Sequence, residues 1–304
     1  MLTVASLSRT QLEARLSSAG LLVQTGAFVS RIHSPLRQVA DGIDTLYGDY
    51  PLHDGDAFAD FHVGLRHPGG MRRWYKPQVN FDLDGQLPFE PLPQAHAFPM
   101  LEWGLNWCIS TRAHAYLMIH AAVVERGGCA AILPAPPGSG KSTLCAALVN
   151  RGWRLLSDEL ALFRPADGVL VPVPRPVSLK NRSIDVIRDY VADAVFSVPV
   201  SNTTKGTVAH LKAPSASVAR AHETARPAWI VFPRYEAGAA TSLTPIPRAS
   251  AFFRVADNAF NYSHMGGRGF QTLAAAIDGC ASYDFRYSAL DEAMAVFAAL
   301  EPPR

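Results

Sequence analysis

The 304-residue sequence has little lysine, few cysteines and no long hydrophobic run. Only five lysines occur (Lys76, Lys141, Lys180, Lys205 and Lys212) among 28 basic residues, so arginine carries most of the positive charge. Acidic residues nearly balance it, and a formal net charge of +2 leaves no footprint for nucleic acid or an anionic membrane. The four cysteines, Cys108, Cys129, Cys145 and Cys280, form no C-x-x-C pair, and Cys129 and Cys145 stand in apolar runs. That scatter argues against a disulfide framework or a cysteine metal site and reads as reduced core thiols. No apolar stretch approaches the ~18 residues of a membrane span, and the first residues lack the basic-then-apolar pattern of a signal peptide. The expectation is a soluble, cytoplasmic protein without nucleic-acid or membrane partners. Apolar residues make up 48% of the chain, enough for a sizeable core in one large or two ordinary domains.

What is present centres on residues 129–143, Cys-Ala-Ala-Ile-Leu-Pro-Ala-Pro-Pro-Gly-Ser-Gly-Lys-Ser-Thr. A short apolar run predicts a buried strand, a Pro/Gly loop follows, and residues 144–149 continue as a helix. Strand, glycine loop and helix N-terminus together are the setting of a phosphate-binding P-loop. Glycine lets the backbone curl so that its N–H groups surround a phosphate. Residues Pro137, Gly138, Ser139, Gly140, Lys141, Ser142 and Thr143 are therefore the candidate ATP-binding set. Lys141 would reach the β- and γ-phosphates, and the Ser142 hydroxyl would ligate Mg²⁺. Ala135 stands where the first glycine of the pattern is usual.

Along the rest of the chain, residues 5–19 predict a short amphipathic helix, with Ser8 as N-cap and Gln11 completing a capping box. Residues 21–32 read as one or two strands, 35–50 as an ambiguous segment with helical spacing, and 58–65 and 79–84 as alternating strands. A proline-rich connector covers 88–99. A buried helix is predicted over 98–116, and a strand over 116–126 ends in the Gly127-Gly128 turn. After the P-loop helix stops near Gly152, residues 153–160 predict a strand ending in two acids, and 161–173 a hairpin. A strand at 177–180, a helix from 184, a polar loop at 203–207 and a solvent-facing stretch at 214–227 follow. Strands at 229–233 and 243–246 precede helices over 250–260, 270–280 and 290–300.

Four further residues carry candidate chemistry. Asp158 and Glu159 close the strand after the P-loop helix, where strand ends converge on the phosphate edge of a parallel sheet, so one acid could hold Mg²⁺. A solvated turn pair is the plainer alternative, and alternation along a strand would aim only one of them at the site. His120 precedes the P-loop strand near the same edge, although a histidine between Ile119 and Ala121 also fits a packed structural role. Lys205 lies in a Thr/Gly loop suited to a phosphate contact or simply to solvent. His210, Asn258 and Asn261 are weaker candidates, with cap or turn roles favoured for the asparagines.

Together these pieces resemble the bacterial HPr kinase/phosphorylase core, and more closely the HPr-kinase-related proteins that lack its N-terminal domain. The likeness rests on Ile119-His120-Ala121 before a glycine turn, on Gly138-Ser139-Gly140-Lys141-Ser142, and on Arg-Gly-Trp-Arg-Leu-Leu-Ser-Asp-Glu at 151–159. It covers residues 116–210. The resemblance implies an α/β fold: a P-loop kinase core of the HPr kinase/phosphoenolpyruvate carboxykinase-like type over residues 98–304, with a small N-terminal α/β region at 1–97. It implies transfer from ATP, with Mg²⁺, to a serine of a small protein or peptide. Position by position, Asp158 matches the general base, Glu159 a second acid near the metal, and His120 a histidine beside acceptor and phosphate. Lys205 is similar to a loop lysine near the transferred phosphate in the related branch. Glu159 replaces an aspartate, and residues 179–183 only loosely echo the Arg/Gly-rich stretch that supports phosphorylase activity. A small-molecule hydroxyl kinase would share every motif, and a non-catalytic nucleotide-binding regulator would tolerate the departures. A homo-oligomer is left open.

Overall fold

A computed structural model of the chain describes residues 2–55 and 57–303. Helix α1 (Arg9–Ser17) is capped as its sequence predicts. The Gln11 N–H donates to Ser8 Oγ at 3.3 Å, and the Ser8 N–H donates to Gln11 Oε1 at 2.8 Å. The next stretch divides into β1 (Leu21–Thr25) and β2 (Phe28–His33), and the ambiguous segment is α2 (Arg37–Leu46), which buries Val39, Ile43 and Leu46. Strands β3 (Phe61–Arg66), β4 (Gln78–Leu83) and β5 (Leu92–Pro93) complete a five-stranded sheet in chain order. The proline connector is shorter than expected, because α3 (Ala97–Arg112) starts two residues before Pro99. A proline in a first helical turn loses no backbone bond there.

Strands β6 (Leu117–Arg126) and β7 (Cys129–Pro134) form the expected hairpin, and α4 (Lys141–Val149) follows the glycine loop. Beyond it run β8 (Arg154–Ser157), β9 (Leu160–Phe163), β10 (Leu170–Val171), β11 (Val177–Lys180) and α5 (Arg182–Tyr190). Then come β12 (Val200–Thr203), β13 (Gly206–Leu211), α6 (Ser215–Ala219), β14 (Arg226–Tyr235) and β15 (Ser242–Pro245). The chain continues through α7 (Arg248–Ala256), α8 (Tyr262–Asp278), β16 (Ala281–Tyr287) and α9 (Leu290–Ala298). The class is mixed α/β. Strand order in the eight-stranded sheet is β10-β9-β6-β7-β14-β16-β15, with β8 also paired to β6. Strands β11, β13 and β12 make a separate three-stranded sheet.

Two expectations need correction, and one strand was missed. The acid pair does not reach the loop's edge through neighbouring parallel strands: β8 and β9 both run antiparallel to β6, which is itself antiparallel to β7. Two reversals restore the direction of β7, so the end of β8 still faces the same edge. The stretch 214–227 is not simply solvent-facing, because α6 buries Ser217 and Val218, and Ser217 Oγ accepts the Leu155 N–H at 2.9 Å. A strand absent from the sequence reading, β16, lies parallel to β14, with only the edge strand β15 beyond it. Its signal was the alternation of Tyr283, Phe285 and Tyr287 with Ser282, Asp284 and Arg286.

The large sheet is covered on both faces, which explains the near-continuous apolar runs of β6 and β7. Met118, Ala122 and Val124 face a core shared with Leu144, Leu148 and Phe297, whereas Leu117, Ile119, Ala121 and Val123 face Ala251, Val255 and Leu273. Alternation along β6 therefore assigns His120 to the α4 side. Among the described residues, no helix is long and apolar enough to cross a membrane. Tight packing also marks α3: a Cβ added at Gly104 would lie 1.9 Å from the ring of Phe81, which is fully buried. Glycine to alanine inside a helix ordinarily stabilises by about 1 kcal/mol. Here Gly104→Ala is expected to destabilise by about 1–3 kcal/mol through overpacking. Denaturant unfolding measures it, and an unchanged or raised stability would contradict this packing.

Candidate active site

The loop between β7 and α4 turns on two glycines, Gly138 at φ +85° and Gly140 at φ +87°, with Gly140 as the N-cap of α4. These left-handed conformations favour glycine, and such turns can gather N–H groups around an anion. Ala135 is buried and is not among the residues with positive φ, so a Cβ is accommodated where the first glycine is usual. The loop is held from the ends of two neighbouring strands. The Tyr235 N–H donates to the Ser139 carbonyl at 2.9 Å, and Tyr287 Oη donates to the Gly140 carbonyl at 3.0 Å. A Cβ on Gly140 would meet Tyr287 Oη at 2.5 Å. Neither tyrosine was singled out in the sequence, and both are tertiary neighbours far along the chain. Pro137 and Gly138 are exposed, while Ser142 and Thr143 are half-buried in the first turn of α4.

Three predicted residues meet directly. Lys141 Nζ lies 3.1 Å from His120 Nε2, His120 Nε2 lies 2.9 Å from Glu159 Oε2, and Lys141 Nζ lies 3.9 Å from the same oxygen. Burial opposes ionisation of Glu159, but the hydrogen bond from His120 and the charge of Lys141 outweigh it and hold the carboxyl well below its usual range. Asp158 is buried, and its Oδ2 accepts the Ser178 N–H at 3.1 Å. Burial first, and the charge of Glu159 second, push its pKa up to about 6, while Lys141, the Ser142 hydroxyl and Ser178 pull the other way. Both acids contribute because the strand breaks between Ser157 and Leu160. Ser157 Oγ accepts the N–H groups of Glu159 at 3.3 Å and Leu160 at 3.0 Å, bending the chain out of strict alternation.

Lys205, in the turn between β12 and β13, has no direct contact with this cluster, although the charges of Glu159 and Lys141 act on it. Among the described residues it makes no ion pair, and its ammonium lies 5.4 Å over the Trp103 ring. The residue is exposed overall, yet partial desolvation of the ammonium, with Lys180 as the next cause, lowers its pKa. Asn181, at φ +51°, braces that turn. Its Oδ1 accepts the Thr207 N–H at 3.0 Å and its Nδ2 donates to the Lys205 carbonyl at 3.4 Å. Asn261 is structural: its side chain accepts from the Met118 N–H and donates to the Tyr116 carbonyl. Asn258 uses its backbone carbonyl to hold the His120 N–H at 2.7 Å. His210 is buried, with its pKa pushed down to about 3 by burial and then by Arg175.

Beside the loop opens a cleft of about 850 Å³, lined by Ala135, Gly138 and Ser139 with Tyr235, Arg254, Asn258 and Arg286 among others. Among the described residues no group of three His, Cys, Asp or Glu side chains gathers as a metal site. Ser142 and an ionised Glu159 nevertheless offer the oxygen donors that Mg²⁺ takes when phosphates and water supply the rest of its shell.

The raised Asp158 pKa has a consequence for stability. Its folded value stands above the ordinary 3.8, so ionised Asp158 costs stability. That cost is absent below about pH 4, grows until about pH 6 and is constant above. Asp158→Asn is expected to gain on the order of 2 kcal/mol at neutral pH and to lose that gain near pH 4. Chemical denaturation at both pH values reads this out, and a variant weaker than the native chain at neutral pH would refute it.

No protein-family model matches the chain and no curated protein matches it, which leaves the chemistry of these residues to carry the assignment of function.

Proposed function

We propose that the chain is an ATP-dependent kinase of the HPr kinase-like type that phosphorylates a hydroxyl, a serine of a small protein or peptide. The observation that carries this reading is the meeting of Lys141, His120 and Glu159 within 3.9 Å at the N-terminus of α4, with buried Asp158 next in the chain. Residues 137–143 cradle the phosphates, and Lys141 exchanges its contacts with His120 and Glu159 for the β- and γ-phosphate oxygens. Ser142 and Glu159 would hold magnesium, which would offset the charge of the transferring phosphoryl group. Asp158 accepts the proton of the attacking hydroxyl. A base with a pKa near 6 is ionised at neutral pH and still basic enough to assist. His120, anchored by Glu159, orients the acceptor, and Lys205 approaches the transferred phosphate from the β12–β13 turn.

Labelled ATP incubated with the protein and a serine-peptide library, followed by mass spectrometry, tests the reading directly. Lys141→Ala is expected to reduce transfer by roughly 10²–10³-fold. Asp158→Asn should bind ATP as the native chain does and lose transfer by roughly 10²–10⁴-fold. Native transfer should also fall as pH drops below about 6, as Asp158 becomes protonated. Label released only as free phosphate, with no acceptor modified, would instead favour a nucleotide-binding regulator.

A further inference from the structure

Behind Asp158 lies a narrow, partly open recess with room of about 10 Å³, bordered by Glu102, Asn106, Arg175, Ser178 and His210 among others. Among the described residues, eight buried side-chain polar atoms have no hydrogen-bond partner, and five of them belong to residues lining this recess. They are Asp158 Oδ1, Ser178 Oγ, Trp103 Nε1 and both ring nitrogens of His210. Each buried polar atom left dry costs about 1–3 kcal/mol, so such a concentration calls for an occupant. Room of this size is about the least that holds one water molecule.

We propose that a single ordered water occupies this recess and that, through it, His210, Trp103 and Ser178 act as positioning residues for Asp158. One water makes four hydrogen bonds and so meets four of the five atoms, leaving the N–H of His210. A neutral histidine has one bare nitrogen and one N–H. The water donates to Asp158 Oδ1 and to the bare nitrogen of His210, and accepts from Trp103 Nε1–H and the Ser178 hydroxyl. Asp158 Oδ2 is already held by the Ser178 N–H, so the water fixes the second oxygen and stops the carboxylate from rotating. The far wall is rigid. Arg175 donates to the Glu102 carbonyl and to Asn106, the Glu102 carboxylate accepts from Tyr47 Oη, and Tyr50 Oη donates to the Pro174 carbonyl at 2.7 Å. Residues from the first fifty of the chain thus help to shape the pocket behind the candidate base. Trp103 also carries Lys205 over its ring, so one indole touches both the recess and the outer lysine.

The positioning role rests on the reading of Asp158 as the base, whereas the water itself does not. A crystal structure of the native protein should show one water within hydrogen-bonding distance of Asp158 Oδ1 and His210, and a dry recess overturns the proposal. His210→Phe is expected to lower kcat for nucleotide turnover roughly 10- to 100-fold with KM for ATP unchanged. His210→Gln, which keeps a donor and an acceptor, should recover most of that loss. Trp103→Phe, which removes only the N–H, should lower kcat in the same direction and guards against misfolding of the phenylalanine variant at 210. A kcat unaffected by both variants, or a fall in kcat matched by a rise in KM, refutes the positioning role. A water present in a protein that turns over no nucleotide overturns the role and the kinase reading together.

Discussion

A break in one strand governs the arrangement of the candidate site. Strands β8 and β9 are two halves of a single antiparallel partner of β6, interrupted at Asp158-Glu159. An unbroken strand would send these neighbouring side chains to opposite faces of the sheet. The Ser157 hydroxyl takes up the two backbone N–H groups that the break releases, so the bend leaves few polar groups unsatisfied. Glu159 can then reach His120 and Lys141 while Asp158 turns toward Ser178. The antiparallel β6 is part of the same device, because it sets His120 between the glycine loop and the acids.

Two adjacent carboxylates consequently sit in opposite electrostatic surroundings. Glu159 faces a histidine and a lysine and holds its charge, while Asp158 is enclosed and repelled by that charge. Separating the pKa values of neighbouring acids in this way divides labour between them: one suits a cation and the other a proton. The buried network of Tyr47, Glu102 and Arg175 extends this enclosure into the N-terminal part of the chain, and the hydrophobic core is likewise continuous between the two.

Much of the local structure was legible in the residues. The capping box of α1, the hairpin before the loop, the glycine loop itself and the helices of the last fifty residues rest on short-range signals: caps, periodicity and turn glycines. The same signals identified Lys141, His120, Asp158 and Glu159 as candidates. They did not reveal β16, whose seven residues alternate but whose parallel pairing with β14 joins distant parts of the chain. Tyr235 and Tyr287 were missed for the same reason, since their contacts with the loop span roughly a hundred residues or more.

The sequence by itself determined that a strand, a glycine loop and a helix N-terminus come in succession, because backbone freedom at Gly138 and Gly140 and apolar patterning are properties of short stretches. It also supplied the side chains that could carry chemistry. Only the tertiary structure decided which of them meet, that both acids rather than one turn inward, and that Ala135 is tolerated because its backbone does not enter the left-handed region. It likewise set Lys205 and His210 in separate surroundings, one at a surface turn and one buried against a narrow recess. Those outcomes depend on burial and on hydrogen bonds between residues far apart in the chain, which local patterning does not encode.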